Sequence, residues 1–175
     1  MRRGVTRRRM AEIVAVVRDA IPGATLRTTV LVGFPGETEA DFEQSLSLLR
    51  EVRFQQSFIF KYSPRPGTLA ARWPDDVPEA AKRERNQRML DAQAQVDEQR
   101  RGAMVGRVVE VLVDSANPAG AEGRRLSGRT RGGDIVFFSD PVVADPEAAG
   151  RMAGELCRVR LTGATPLTLF GERCD

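Results

Sequence analysis

The sequence contains no histidine and only two cysteines, Cys157 and Cys174. Without histidine it cannot form a Ser-His-Asp triad, and with so few Cys and His side chains it cannot build a zinc site or ligate an iron–sulfur cluster. The two cysteines are not arranged as CxxC, so we expect two reduced, unrelated thiols, with a disulfide as the alternative. Chemistry that depends on these side chains is therefore excluded for this chain alone.

Long apolar runs are absent as well. No segment approaches the roughly 18 to 20 apolar residues that a membrane-spanning helix needs. The arginine-rich segment 1–9 is not followed by the apolar core of a secretory signal. With 27 basic and 24 acidic residues and 41% hydrophobic residues in a length of 175, the composition is typical of one or two small globular domains. We expect a cytoplasmic protein that does not contact a membrane.

The first part of the chain alternates helix and strand patterns. Apolar residues at helical spacing predict a helix over 10–21, and β-branched residues predict a strand over 25–32. Thr38 is predicted to cap a second helix, with Asp41 completing a short capping box. A second strand is predicted over 57–62, and the alternation implies parallel strands with right-handed crossovers.

Two parallel strands need helices on both faces and further strands beside them. We therefore expect this region to be part of a larger α/β sheet or barrel, with additional strands belonging upstream of Met1.

The composition and pattern of the sequence change after the second predicted strand and again after residue 102. Residues 63–78 hold four prolines and are predicted to form a loop, and residues 79–102 predict a charged, mostly solvated connecting helix. Short alternating strands follow in 103–175, which favours a small five-stranded antiparallel barrel of the OB type. The predicted domains are 1–78, 79–102 and 103–175. The predicted strands of the barrel are 107–113, 124–130, 134–138, 155–162 and 167–172.

Two loops leave the carboxyl ends of the predicted parallel strands, the edge at which α/β folds bind ligands. In the first loop, glycines allow close backbone approach, and the following helix N-terminus attracts anions. Its candidate ligand-binding residues are Gly33, Phe34, Pro35, Gly36 and Glu37. The alternatives are a tight turn that binds nothing, and a Glu37 that only stabilises the helix dipole.

The second loop leaves the same edge one strand later, so both loops should line one mouth. Arg65 is its only full charge, and a guanidinium at this place could hold a carboxylate or a phosphate. The candidate substrate-side residues are Tyr62, Ser63, Arg65, Gly67 and Thr68. The alternative is a proline-stiffened surface loop with a solvated arginine.

All nine basic residues of the segment 103–175 are arginines. Arginine forms paired hydrogen bonds with phosphates and stacks on bases better than lysine does. Several of these arginines lie close in sequence to Phe137 and Phe138, one of which must point into the barrel. The candidate RNA-binding residues are Arg124, Arg125, Arg129 and Arg131. The alternative is an arginine run that is merely exposed.

Four segments form an ordered set of motifs: Met1-Arg2-Arg3-Gly4-Val5-Thr6, Val32-Gly33-Phe34-Pro35-Gly36-Glu37-Thr38, Tyr62-Ser63-Pro64-Arg65-Pro66-Gly67-Thr68, and Ser127-Gly128-Arg129-Thr130 with Val136-Phe137. In order and spacing they resemble the C-terminal half of the radical SAM methylthiotransferases, and the last segment resembles the TRAM domain of that family. The resemblance covers essentially the whole chain.

The resemblance implies the later part of a partial radical SAM barrel over 1–78, followed by a connecting helix and an RNA-binding TRAM barrel. Family members use S-adenosylmethionine and two [4Fe-4S] clusters to install a methylthio group. The cluster cysteines are absent here, so the resemblance supplies no metal ligand and no catalytic residue, and the chain alone is expected to be inactive.

By the same resemblance, the Gly33–Glu37 loop would lie near S-adenosylmethionine and the Tyr62–Thr68 loop would face the substrate. The barrel arginines would hold the anticodon stem-loop of tRNA. The expected partners are tRNA and the missing N-terminal half of the same protein.

Two substrates fit the resemblance. The segment Ser57–Tyr62 is similar to family members that modify an adenine of tRNA, whereas Leu26–Thr29 is similar to those that modify an aspartate of ribosomal protein S12. Thr29 stands where the tRNA enzymes usually have Asp, and Val5 replaces a usual Tyr. A standalone RNA-binding protein without catalysis is the third alternative.

Overall fold

A computed structural model describes residues 4–117, 125–141, 143 and 146–174. The chain divides into two compact units, of which the first ends at Val96 and the second begins at Asp97. The assignment of the predicted domains 1–78, 79–102 and 103–175 to a radical SAM barrel, a connector and a TRAM barrel remains a prediction.

The first unit has the predicted alternation of helices and strands, and a short 3₁₀ turn, Ala70–Arg72, interrupts the predicted loop. Its elements are α1 (Arg7–Ala20), β1 (Arg27–Val32), α2 (Glu39–Val52), β2 (Gln56–Lys61) and α3 (Glu79–Gly102), whose last turn belongs to the second unit. Within the described residues, none of the helices is both long enough and apolar enough to cross a membrane.

The start of α2 has the predicted capping box. The Thr38 hydroxyl accepts from the backbone N–H of Asp41 at 3.2 Å, and the Asp41 carboxylate accepts from the backbone N–H of Thr38 at 3.0 Å. The Thr38 hydroxyl also donates to the Asp41 carboxylate at 2.6 Å, and this bond, with the one from the backbone N–H of Thr38, holds the pKa of Asp41 below its ordinary value. The reciprocal cap fixes where the first loop ends, because it satisfies two backbone donors that the helix itself leaves unpaired.

Strands β1 and β2 pair in parallel, with Thr29 opposite Phe58 and Leu31 opposite Phe60. Helices α2 and α3 cover one face of this pair, where Val30 packs against their apolar core. The members of that core are Val32, Phe42, Leu46, Leu49, Met89, Ala92 and Val96. The opposite face, which carries Phe58 and Phe60, has no such cover among the described residues.

Helix α3 keeps the solvated face that its charge predicts, but a second face is buried. That face carries two cations, Lys82 and Arg85, which are only 3% and 7% exposed. Gln93 is buried beside them and donates to the carbonyl of Phe54 at 3.0 Å. The helix is therefore part of the first unit's core over most of its length.

The second unit is a closed barrel with the strand order β3-β4-β5-β7-β6. Its elements are β3 (Val108–Asn117), β4 (Arg125–Thr130), β5 (Ile135–Ser139), a short helix α4 (Pro146–Arg151), β6 (Leu156–Ala164) and β7 (Leu169–Arg173). All five predicted strands are present within a few residues of the predicted bounds. Helix α4 was not predicted.

The prediction of an all-antiparallel barrel is wrong, because β5 and β7 run parallel. Strand directions cannot alternate around a closed ring with an odd number of members, so five strands require at least one parallel pair. Here β6 pairs with β3 across the closure and β7 pairs antiparallel with β6, which gives β7 the direction of β5. Closure therefore forces a mixed barrel, compatible with the OB-like type.

The interior of the barrel is filled by alternate side chains of its strands. Phe138 is 1% exposed and belongs to this core, whereas the side chain of Phe137 lies on the other face of β5. This confirms that one of the two consecutive phenylalanines points inward. Phe137 stacks on Phe170 of β7, with ring centroids 6.4 Å apart and planes at 28°.

A close approach of β3 to β4 gives a test of the barrel packing. A Cβ added at Gly128 would lie 2.3 Å from the carbonyl oxygen of Leu112 and 2.6 Å from Cγ1 of Val111. We predict that Gly128→Ala lowers the free energy of unfolding by about 2 kcal/mol, because backbone must move to admit the methyl group. Urea denaturation followed by circular dichroism measures this loss.

Gly163→Ala in β6 is the matched control. Its Cβ would lie 3.9 Å from two atoms of Phe170, which is ordinary contact, so we expect a change below about 1 kcal/mol. Equal losses for the two variants would contradict the described packing of β3 on β4.

Candidate functional site

The turn after β1 is closed by its own hydrogen bonds. The Glu37 carboxylate accepts from the backbone N–H of Gly33 at 2.6 Å, and the backbone N–H of Gly36 donates to Asp76 at 2.8 Å. The N–H groups that the two glycines could have offered to a ligand are therefore used within the protein. Phe34 and Pro35 of the same turn are half-buried.

Gly33 has a φ of +72°, and its backbone lies directly against the side chain of Lys82. A Cβ at this position would lie 2.3 Å from Cγ of Lys82. The glycine is needed because the turn is left-handed here and because α3 approaches it closely. The Lys82 ammonium pairs with both carboxylate oxygens of Asp75, at 2.5 and 2.6 Å.

Arg85 lies one helical turn after Lys82 on α3 and pairs with Glu37, at the other end of the Gly33–Glu37 turn. Its guanidinium donates to the Glu37 carboxylate at 2.9 Å and to the Glu37 carbonyl at 3.1 Å. It also donates twice to Glu39, at 3.1 and 3.2 Å. Hydrogen bonds from Arg88, and then from Arg85, hold the pKa of Glu39 below its ordinary value against the cost of desolvation.

Three aromatic rings join the two predicted loops. Phe34 contacts Tyr62 edge to face at 5.2 Å and Trp73 edge to face at 5.7 Å between ring centroids. The Tyr62 hydroxyl donates to the carbonyl of Ala70 at 3.1 Å, and the Lys82 ammonium lies 5.4 Å from the Tyr62 ring centroid. The first loop and the start of the second are thus in contact.

The rest of the second loop is exposed. The hydroxyl of Thr68 donates to the carbonyl of Arg65 at 2.8 Å, which closes a turn around Gly67 at φ +82°. Ser63 and the Arg65 guanidinium face solvent, and no ion pair of Arg65 occurs among the described residues.

A groove of about 1040 Å³ runs along the uncovered face of the β1–β2 pair. Phe58, Phe60 and Leu31 form its apolar floor, and the charged residues of its described lining are three cations, Arg27, Lys61 and Arg65. The second loop also contributes Tyr62, Ser63 and Thr68 to the lining. Four of the five candidate substrate-side residues therefore line this groove, and Gly67 does not.

The structure places the candidate RNA-binding arginines unequally. Arg129 and Arg131 are exposed at the end of β4 and in the turn that follows it, and Arg129 pairs with Asp114 at 3.2 Å. Arg125 is in β4, and only its backbone is described; Arg124 lies outside the described residues. In β5, Phe137 is opposite Ser127 of β4, two residue positions along the ladder from the pair formed by Arg129 and Ile135.

The turn between β4 and β5 is fixed by a buried ion cluster. The carboxylate of Asp134, which is 8% exposed, accepts from the Arg100 guanidinium at 2.5 and 2.9 Å, and Arg101 lies 3.4 Å away. Burial opposes the charged form of Asp134, but the hydrogen bonds and charges of these arginines outweigh it and hold its pKa below the ordinary value. The same pairing raises the pKa of Arg100.

Comparison with known proteins bears on the resemblance that the motifs carry. No protein-family model matches the chain. A protein of Moorella thermoacetica named tRNA-2-methylthio-N(6)-dimethylallyladenosine synthase is 45% identical over 100% of the chain and 37% of its own length. The chain is therefore similar to part of that synthase. This confirms the resemblance that the motifs predict.

Two further proteins with the same name agree. The synthase of Chlorobium phaeobacteroides (strain DSM 266) is 44% identical over 93% of the chain, and that of Thermobifida fusca is 43% identical over 98%. The chain covers 35% and 34% of these two proteins. It thus spans about a third of the length of the methylthiotransferases that it matches.

The residues of this chain do not fit an iron–sulfur cluster of a methylthiotransferase. Cys157 is buried in the barrel core, where desolvation raises the pKa of its thiol, and Cys174 directs its sulfur to the carbonyl of Arg158 at 3.7 Å. In the described part of the chain, no three His, Cys, Asp or Glu residues are grouped so that they could share a metal ion. We therefore assign no cluster ligand.

Sequence reasoning missed the two buried cations, Lys82 and Arg85. Charged residues on a helix usually face water, so we did not expect these two in the core. The available signal was the spacing of Lys82, Arg85 and Met89, which follows the same helical face as the apolar residues Ala92 and Val96.

The Arg85 pair provides a test of the first loop. We predict that Arg85→Ala lowers the free energy of unfolding by about 3 kcal/mol, because Glu37 is left buried without its cation. The fluorescence of Trp73, the single tryptophan, should also change, since its ring packs on Phe34 of the same turn. Urea denaturation followed by tryptophan emission measures both effects.

Arg83→Ala is the matched control on the same helix. Arg83 is 73% exposed and pairs only with the exposed Glu79, so we expect a loss below about 0.5 kcal/mol and unchanged emission. A similar effect of both variants would show that the burial of Arg85 has no special role.

The pKa of Asp134 gives a pH dependence. Because this pKa lies below the ordinary 3.8, ionised Asp134 stabilises the folded barrel above that value, and the stabilisation is lost as the pH falls through the folded-state pKa. We predict that Asp134→Asn is less stable at pH 7 and loses less stability than the unaltered chain between about pH 4 and pH 3. Urea denaturation across this range measures it, and parallel curves would contradict the ion cluster.

Proposed function

We propose that the chain is the C-terminal part of an enzyme that installs a 2-methylthio group on N(6)-dimethylallyladenosine at position 37 of tRNA by radical SAM chemistry. The observation that carries this proposal is the 45% identity over the whole chain to a synthase of that name. The ordered motifs around Gly33, Tyr62 and Ser127 agree with it. A cytoplasmic location follows from the proposed substrate.

In this proposal the first unit supplies part of the barrel wall. When bound, S-adenosylmethionine supplies the radical that activates the substrate. The Gly33–Glu37 turn would contact it through Phe34 and through backbone surface, because the N–H groups of Gly33 and Gly36 are already hydrogen bonded. The Tyr62–Thr68 loop would contact the substrate, and the aromatic contact of Phe34 with Tyr62 would keep the two loops together.

The second unit would hold the RNA. Outward-facing Phe137 and Phe170 offer ring faces for stacking, and Arg129 and Arg131 offer guanidinium groups to phosphates. The anticodon stem-loop is the proposed part of the tRNA. With cluster ligands lacking in the sequence, we propose that the chain performs no catalysis alone and acts with the remaining part of the enzyme.

The salt dependence of tRNA binding tests this function. We predict that the chain binds tRNA, that Arg129→Ala and Arg131→Ala each weaken binding, and that each lowers the slope of log affinity against log salt by about one. Titrations of labelled tRNA at several salt concentrations measure the slope.

Arg160→Ala is the matched control, since Arg160 is an exposed arginine of β6, a strand that does not pair with β4. It should leave the slope unchanged. Absence of salt-sensitive binding would contradict the proposed function, and an equal loss in all three variants would place the RNA on a different face of the barrel.

A further inference from the structure

The uncovered face of the β1–β2 pair exposes apolar side chains to solvent. Phe58 is 44% exposed and Phe60 is 53% exposed, and both side chains line the groove. The register places Thr29 and Leu31 directly opposite them on β1. Parallel strands normally have both faces covered, so two adjacent exposed phenylalanines indicate a surface that binds something.

The charges of the groove restrict what can bind there. Among the residues that the structure describes, its charged lining residues are all cations, with no carboxylate beside them. Lys61 is already paired with Glu79 at 2.5 Å, whereas Arg27 and Arg65 have no ion pair among the described residues. The apolar floor is complementary to an apolar group of the ligand, and the guanidinium groups of Arg27 and Arg65 are complementary to negative charges, such as phosphates, on either side of that group.

We propose that Phe58 and Phe60 bind the apolar N(6) substituent of the target adenine, while Arg27 and Arg65 contact flanking phosphates. This inference rests on the proposed function, because the relatives are named for dimethylallyladenosine, whose substituent is a branched five-carbon group. Such a group gains by leaving water for an aromatic surface. Phe58 and Phe60 are then specificity-determining residues for prenylated over unmodified adenine.

The carboxylate substrate that Leu26–Thr29 would suggest fits this floor less well. An aspartate side chain needs a cation or several hydrogen-bond donors at the position where it is held. The apolar floor of Phe58, Phe60 and Leu31 offers neither, and the cations of the groove come from the strand ends and the second loop. The hydroxyl donors of the described lining include Thr29, opposite Phe58, and Thr68 of the second loop.

The test compares two anticodon stem-loop RNAs of identical sequence, one with N(6)-dimethylallyladenosine and one with adenosine at position 37. We expect the 175-residue chain to bind the prenylated RNA about tenfold more tightly, as burial of a few carbon atoms allows. Phe58→Ala and Phe60→Ala should each reduce this preference to about twofold or less, and Phe58→Leu should retain a larger part of it.

Leu90→Ala is the matched control. Leu90 is 43% exposed, nearly as much as Phe58, but lies on α3, the helix that covers the other face of the sheet. This variant should keep the tenfold preference. Arg129→Ala should weaken both RNAs by the same factor, because it acts through the barrel and not through the substituent.

Each outcome decides the inference. Equal affinity of the unaltered chain for the two RNAs overturns it and leaves the proposed tRNA binding intact. A preference that survives both phenylalanine substitutions overturns it as well and places the substituent elsewhere. If neither RNA binds at low salt, the proposed function fails together with the inference that rests on it.

Discussion

A buried contact between a helix and a turn holds the first unit's candidate site in place. Lys82 and Arg85 leave water to pack against the Gly33–Glu37 turn, and each finds a carboxylate there or nearby. Breaking either pair would leave a charge in the core, so the turn has little freedom to adopt another conformation. Through Phe34 this fixed turn also positions Tyr62, and with it the beginning of the second loop.

The second unit depends on a different constraint, the closure of five strands into one barrel. Closure requires the parallel pairing of β5 with β7, and this pairing sets Phe137 directly beside Phe170 on the outer face. The Asp134–Arg100 pair then fixes the turn that follows Arg131. An aromatic surface and exposed arginines thus lie on neighbouring strands, which is the combination that single-stranded nucleic acid binds.

Most elements of the fold could be predicted from the sequence, because they depend on local signals. Apolar spacing located α1 and α2, a charged segment after four prolines located α3, alternation located the barrel strands, and Thr38 with Asp41 located the start of α2. What failed depended on distant contacts. The parallel pair follows from closure of the barrel. The burial of Lys82 and Arg85 follows from tertiary contacts: both pack against the Gly33–Glu37 turn, more than 40 positions away, and Lys82 pairs with Asp75 in a loop whose position the local sequence pattern does not predict. A mouth lined by both loops was predicted, but the described lining of the groove includes the second loop and none of Gly33–Glu37. The groove itself was not predicted, since the exposure of Phe58 depends on what covers each face of the sheet.

In the proposed function one RNA contacts both units, the barrel through the β4–β5 turn and the first unit through the groove. Hydrogen–deuterium exchange of the 175-residue chain, with and without the prenylated anticodon stem-loop, tests it most directly. We expect slower exchange on RNA binding in the 62–68 loop and in the 131–134 turn together. Slower exchange in the turn alone would contradict a role for the groove, and unchanged exchange in both segments would contradict the proposed function.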